Sequence, residues 1–180
     1  GNGSAAVIRA SLLRELGFVT WVEGERRRCY FDETLRQSED IEFWLRVALS
    51  SEWKFRGIGE TLTFYRVNEG GLSANTDKQL AAWERGINKH RKQHPAFYER
   101  HYNLARAYQY RYLARRAVRA GQSRQALTLL KKAFQSDWRI LSQEPKRTLL
   151  TCGCALLSVL PNKVYRALEN FAMREFGKTA

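Results

Sequence analysis

Charge divides this chain more sharply than any other property. Residues 1–75 carry 10 basic and 11 acidic side chains, net −1, whereas residues 76–180 carry 21 basic and 7 acidic, net +14. The whole excess of positive charge therefore belongs to the second part, and the two parts are expected to be built differently and to meet different partners. With 180 residues, 44% apolar and 12% aromatic, the chain suits one domain or two small ones. It has ample material for a core, which excludes wholesale disorder. Cys29, Cys152 and Cys154 are odd in number and lack Cys-x-x-Cys spacing, so the sequence predicts neither a disulfide framework nor a zinc site and fits a reducing compartment. No secretory signal is visible, and the single Met is Met173, so Gly1 is not expected to be a translation start.

In the first part, residues 4–15 begin as a small-residue and β-branched run behind Gly1-Asn2-Gly3 and then shift to helical spacing, predicting a loop or strand edge followed by a short helix. Gly17 to Cys29, with Arg26-Arg27-Arg28, reads as a surface loop or hairpin. Ser38 followed by Glu39, Asp40 and Glu42 marks a helix start, and the helix is expected to run to about Leu49. Ile41, Leu45, Ala48 and Leu49 stand at core spacing on it, with Phe43, Trp44 and Val47 on adjoining strips. Alternation over Trp53–Ile58 and again over Thr61–Val67 predicts two short strands, ended by Gly70-Gly71.

Three phrases in order, GNGSAAVIRASLLRELG, FDETLRQSEDIEFWLRVAL and IGETLTFYRVNEGGLSAN, resemble the carboxyl-terminal half of the catalytic domain of family 2 glycosyltransferases, the GT-A enzymes that use nucleotide-activated sugars. The resemblance covers roughly residues 1–75, and its strongest piece is the Phe-Asp-Glu turn followed by Glu-Asp opening a helix that bears an aromatic residue and an Arg. It implies an α/β fold class, an incomplete GT-A domain with few short strands over 1–75, followed by an all-α region over 76–180, so that the whole is mostly helical. It also implies inverting sugar transfer, with Asp40 as the base that takes the acceptor's proton and Glu39 orienting the acceptor or supporting the site. Read without the family, Glu39 and Asp40 are an acidic first turn of the kind that suits any helix amino terminus.

The resemblance further implies donor or acceptor contacts for Gly3 and Ser4, which flank the sugar site, and for Arg66 and Asn68 beside a mobile loop. Asn68 stands where the family often has His, so charge for the leaving diphosphate would fall to Arg66 or to residues elsewhere. Val19–Tyr30 is an insertion relative to the family pattern and is expected to shape acceptor choice. Trp44 is expected to pack rather than to serve as a sugar platform, and Arg46 to be an ion-pair partner or a loop anchor rather than a ligand. The chain contains no Asp-x-Asp, the motif that holds a divalent cation against the diphosphate in such enzymes. The expectation is thus a carboxyl-terminal fragment with no metal ligands of its own. Mg or Mn would bind upstream, and the isolated chain would be inactive.

Beyond Asp77 the pattern is helical: Lys78–Lys92 with Leu80, Trp83 and Ile87; Ala96–Ala120 with Phe97, Tyr102, Leu104, Ala105, Tyr108, Tyr112, Leu113 and Ala117; and Arg124–Gln135 with Ala126, Leu127, Leu130, Ala133 and Phe134. The pair around Gly121, about residues 102–136, resembles one tetratricopeptide-like hairpin. His90 and His94 have metal-ligand spacing but lack a partner Glu, and are read as solvated helix-end residues. Thr148–Asn162 is uncharged, too short to cross a bilayer, and bracketed by Lys146, Arg147, Lys163 and Arg166. An apolar stripe continues after Pro161, so about 146–174 reads either as a membrane-interface segment or as a core helix hairpin.

These readings point to a fragment of an inverting glycosyltransferase, cytoplasmic or peripheral on the cytoplasmic face of a membrane. Its partners would be a nucleotide-sugar donor, a cell-envelope glycan or lipid-linked acceptor, and an anionic membrane surface. The alternative is a noncatalytic basic helical adaptor for a protein or an anionic membrane. A pI near 10 also fits nucleic-acid binding, but no such module is recognisable and the basic residues are spread over several helices, so no nucleic acid is expected.

Overall fold

The computed structural model describes residues 5–35, 38–63 and 75–160, and Val164. Among these the chain is mostly helical, with seven helices and one two-stranded antiparallel sheet. It forms two compact units, residues 1–99 and 100–180, so the spatial division does not coincide with the change of charge near residue 75.

In the first unit, α1 (Ala10–Leu16) leads into β1 (Phe18–Val22) and β2 (Glu25–Cys29). The strands pair from Phe18↔Cys29 to Val22↔Glu25, leaving a two-residue turn at Glu23-Gly24. Both turn residues have positive φ, 52° and 83°, as the two-residue turns that match strand twist require. α2 (Glu39–Ser50) and α3 (Thr76–Arg91) follow. The core gathers Leu12 from α1 with Phe43 and Val47 from α2, and Ile8, Leu13, Leu16, Phe31, Trp44 and Trp53 pack around it.

Three expectations are corrected here. The core face of α2 is not the Ile41–Leu45–Ala48–Leu49 stripe: Glu42, Phe43 and Val47 are the buried positions, while Ile41 and Ala48 are exposed. Paired cations allow Glu42 to go inside, which rotates the helix relative to a reading based on apolar spacing alone. Residues 53–58 form no strand, nor do 61–63, and 64–67 lie outside the described residues. A strand needs a neighbour for its N–H and C=O groups, and none of the described residues pairs with this segment. Its apolar side chains Phe55, Ile58 and Leu62 stand exposed. The GT-A sheet is accordingly not seen, and the hairpin β1–β2 is the one sheet among the described residues.

α4 (Pro95–Arg119) crosses from the first unit into the second. The second unit continues through Gly121, at φ 69°, into α5 (Ser123–Ser136), α6 (Ile140–Gln143) and α7 (Pro145–Leu157). Its core is small-residue rich: Ala107, Leu113, Ala114 and Ala117 of α4, Ala126, Leu130 and Ala133 of α5, Ile140 of α6 and Ala155 of α7. Phe97 and Tyr112, placed on the inner stripe of α4 by spacing, are exposed, and Tyr98 and Tyr110 are buried instead. The short side chains of that long helix leave its apolar stripe ambiguous. Arg111 fixes the start of α7, donating to Glu144 Oε2 at 2.5 Å and to Thr148 Oγ1 at 2.7 Å, while Thr148 Oγ1 donates to the Ile140 carbonyl at 2.9 Å. The three cysteines are free.

Candidate active site

α2 starts after Ser38, whose backbone is left-handed (φ 64°, ψ 19°) and whose hydroxyl makes no cap hydrogen bond. The turn is closed instead by the Glu42 N–H, which donates to the Ser38 carbonyl at 3.0 Å. Glu39 is exposed at this opening and Asp40 is half-buried. One oxygen of Asp40, Oδ1, accepts the N–H of Ile41 at 2.8 Å. This places a carboxylate at a helix amino terminus.

Glu42, two residues on and about 200° further round the helix, points inward. Its side chain is fully buried. Oε1 lies 3.0 Å from Lys89 Nζ and 3.2 Å from His90 Nε2, and Oε2 lies 3.2 Å from Arg46 Nη2. Burial pushes this carboxyl up, but hydrogen bonds from His90 and Lys89 and the charge of Arg46 outweigh burial and hold it at about 2. Lys89 also reaches Asp32 Oδ2 at 2.7 Å. Asp32 Oδ1 meanwhile accepts from the Thr34 hydroxyl at 2.6 Å and the Thr34 N–H at 3.0 Å. Burial raises the Asp32 carboxyl, and the bonds from Lys89 and Thr34 bring it below its ordinary value. The Phe-Asp-Glu turn is thereby tied to α3, and Phe31 stacks on Phe43 with ring centroids 4.6 Å apart.

Arg46 completes the frame. Its guanidinium donates to the carbonyls of Leu16 at 2.5 Å and Tyr30 at 2.6 Å, the last residue of α1 and the residue just after β2, and lies over the Phe18 and Phe43 rings. The expected loop anchor is thus an anchor for both ends of the hairpin. Trp44 packs edge-on against Phe43 and Phe55, as expected of a packing residue. The hairpin presents Trp21, 71% exposed, directly opposite the exposed Arg26. Arg26 makes no ion pair or hydrogen bond among the described residues, whereas Arg27 is paired with Glu23 and Glu25.

Of the residues singled out in the sequence, the structure brings Asp40 and Glu39 together at one helix end, while Gly3, Ser4, Arg66 and Asn68 lie outside the described residues. His90 is corrected: it is not solvated but buried against Glu42, its Nε2 also lying 3.2 Å from the Glu42 carbonyl. His94 lies instead with Nε2 3.3 Å from the Ser50 hydroxyl. Sequence reasoning missed the Glu42–Lys89–His90–Asp32 cluster. Its one local signal was the Glu42–Arg46 spacing of four. A cleft lined by Glu15, Leu49, Ser50, Ser51, Glu52, Trp53 and Lys54 opens at the far end of α2, roughly 15 Å along the helix from Asp40.

Among the described residues no group of three His, Cys, Asp or Glu side chains converges to hold a metal ion, and no helix is long and apolar enough to cross a membrane. Comparison with family models, with curated proteins and with solved structures finds no match to this chain.

Proposed function

We propose that residues 1–75 belong to the acceptor side of a GT-A glycosyltransferase that moves a sugar, with inversion, from a nucleotide-sugar to a hydroxyl of a cell-envelope glycan or lipid-linked acceptor at the cytoplasmic face of a membrane. The observation that supports this most is the setting of Asp40. It stands half-exposed at the opening of α2, with its helix braced from the other side by Glu42, Arg46 and Lys89. A general base must be held within a fraction of an ångström of its target, and such bracing supplies that rigidity.

In the proposed step the acceptor oxygen bonds to the anomeric carbon from the face opposite the diphosphate, its proton passes to an Asp40 carboxylate oxygen, and the carbon–oxygen bond to the diphosphate breaks with its electron pair. Glu39 orients the acceptor. Arg66 and Asn68 hold the departing diphosphate, and Gly3 and Ser4 border the sugar. A magnesium or manganese ion in this reading is bound by the donor half, outside these 180 residues.

The hairpin β1–β2, anchored by Arg46 to the helix that bears Asp40, is assigned to acceptor selection, with Trp21 as a stacking surface and Arg26 as a cation beside it. In the full-length enzyme, Asp40→Asn is expected to lower kcat by about 10²-fold or more without moving the unfolding midpoint. Unchanged turnover would remove Asp40 from the role of base. Trp21→Ala with Arg26→Ala is expected to raise the acceptor KM while leaving the donor KM unchanged. An unaltered acceptor KM would leave the hairpin without this task.

A further inference from the structure

α7 is inside out. Its buried positions are Thr148, Thr151 and Ala155, whereas Leu149, Leu150 and Leu156 are 60%, 62% and 64% exposed and Leu157 is exposed beside them. At 3.6 residues per turn the four leucines fall within an arc of about 120°, centred opposite the buried residues. Lys146 stands at the amino end of the same arc, and α7 carries no acidic side chain. Beyond the helix Val159 and Leu160 are also exposed, and Trp138, just before α6, is 70% exposed. A helix folded only for its own domain would turn the leucines inward and leave the threonines in water. Here the threonines are held inside by specific bonds, Thr148 to Arg111 and Ile140, and Thr151 to the Arg147 carbonyl.

We propose that the leucine face of α7 docks on an anionic lipid bilayer, lying in the plane of the interface with Lys146 and Arg147 among the headgroups. Charge selects this occupant. Residues 100–180 carry 16 basic and 4 acidic side chains, net +12, so a second copy of the chain would bring the same sign to the contact, whereas an anionic surface brings the opposite one. Length excludes crossing: 13 residues of helix span about 20 Å against about 30 Å of hydrocarbon. An exposed Trp and a basic flank suit the boundary between acyl chains and headgroups. The inference stands apart from the sugar-transfer reading, because it uses the second unit alone and its test involves no turnover.

The test is co-sedimentation of the 180-residue chain with phosphatidylcholine vesicles, with and without phosphatidylglycerol. Binding is expected to the anionic vesicles and to weaken with salt and with Lys146→Gln. Leu149→Gln, Leu150→Gln and Leu156→Gln together should lower the partition coefficient by about tenfold or more while far-ultraviolet circular dichroism keeps its helical signal. Should the triple variant lose structure, Leu150→Gln alone carries the test, with a loss of several-fold expected. Absence of binding to any vesicle would overturn the proposal, as would binding indifferent to the leucine variants. So would a wild-type oligomer that the triple variant dissolves, since a second copy would then cover this face.

Discussion

Glu42 shows how a single buried carboxylate can set the geometry of its neighbours. Exchanging it for a neutral amide would take away the carboxylate that Arg46 and Lys89 share, leaving Lys89 with Asp32 alone, and Glu42→Gln is expected to cost about 3 kcal/mol of stability, read from denaturant unfolding. Because its carboxyl is held at about 2, below the ordinary glutamate value, the stability it contributes is complete above that ordinary value and is lost as pH falls toward 2. Asp32, also held low, acts in the same direction. The wild-type chain should therefore weaken between about pH 5 and pH 2, and Glu42→Gln should flatten that slope. An acid profile identical in the two proteins would mean the cluster does not bear on stability. The position of Asp40 and Glu39 at a helix start was legible, because acidic first turns have a local physical cause. The burial of Glu42 was not, since its counter-charges Lys89 and His90 lie nearly fifty residues away and only the fold brings them to it.

At the scale of elements, the helices and the hairpin read well, and the strand expected over 53–58 did not. α2, α3, α4 and α5 each lie within two residues of the spans expected from periodicity, caps, Pro95 and Gly121, all local signals. The alternating run at 53–58 carries an equally local signal, but a strand exists only with a partner, and alternation cannot supply one. The Gly17–Cys29 hairpin was legible from its turn residues, and that turn can be improved. Glu23 sits at φ 52°, where Asn is tolerated better, so Glu23→Asn should stabilise the chain by about 0.5–1 kcal/mol. The exposed Glu23–Arg27 pair it removes, at 3.8 Å, contributes little. In α3, a Cβ on Gly86 would meet Glu42 Cβ at 3.9 Å and Leu35 Cδ1 at 4.0 Å, ordinary contacts, so Gly86→Ala should add about 1 kcal/mol through helix propensity. A loss of stability in that variant would show that α2 and α3 approach more closely than these distances allow.

For the whole molecule, the change of charge near residue 75 and the structural division at residue 99 mark different things. Charge changes where α3 begins, yet α3 packs with α2 and lends Lys89 and His90 to the acidic cluster of the first unit. Part of the excess positive charge thus serves the stability of the near-neutral part, a use that composition alone could not reveal. Each unit has its own core, so calorimetry should resolve two transitions, of which Glu42→Gln lowers only one; a single transition shifted as a whole would contradict that division. In the proposed enzyme this chain meets a donor-binding half and Asp40 takes the acceptor's proton. The most direct test of that role is chemical rescue. In the full-length enzyme, Asp40→Ala should lose about 10²-fold or more in kcat, and added formate, standing in for the missing carboxylate, should restore a saturable part of it. Wild-type turnover by Asp40→Ala without formate would contradict the account.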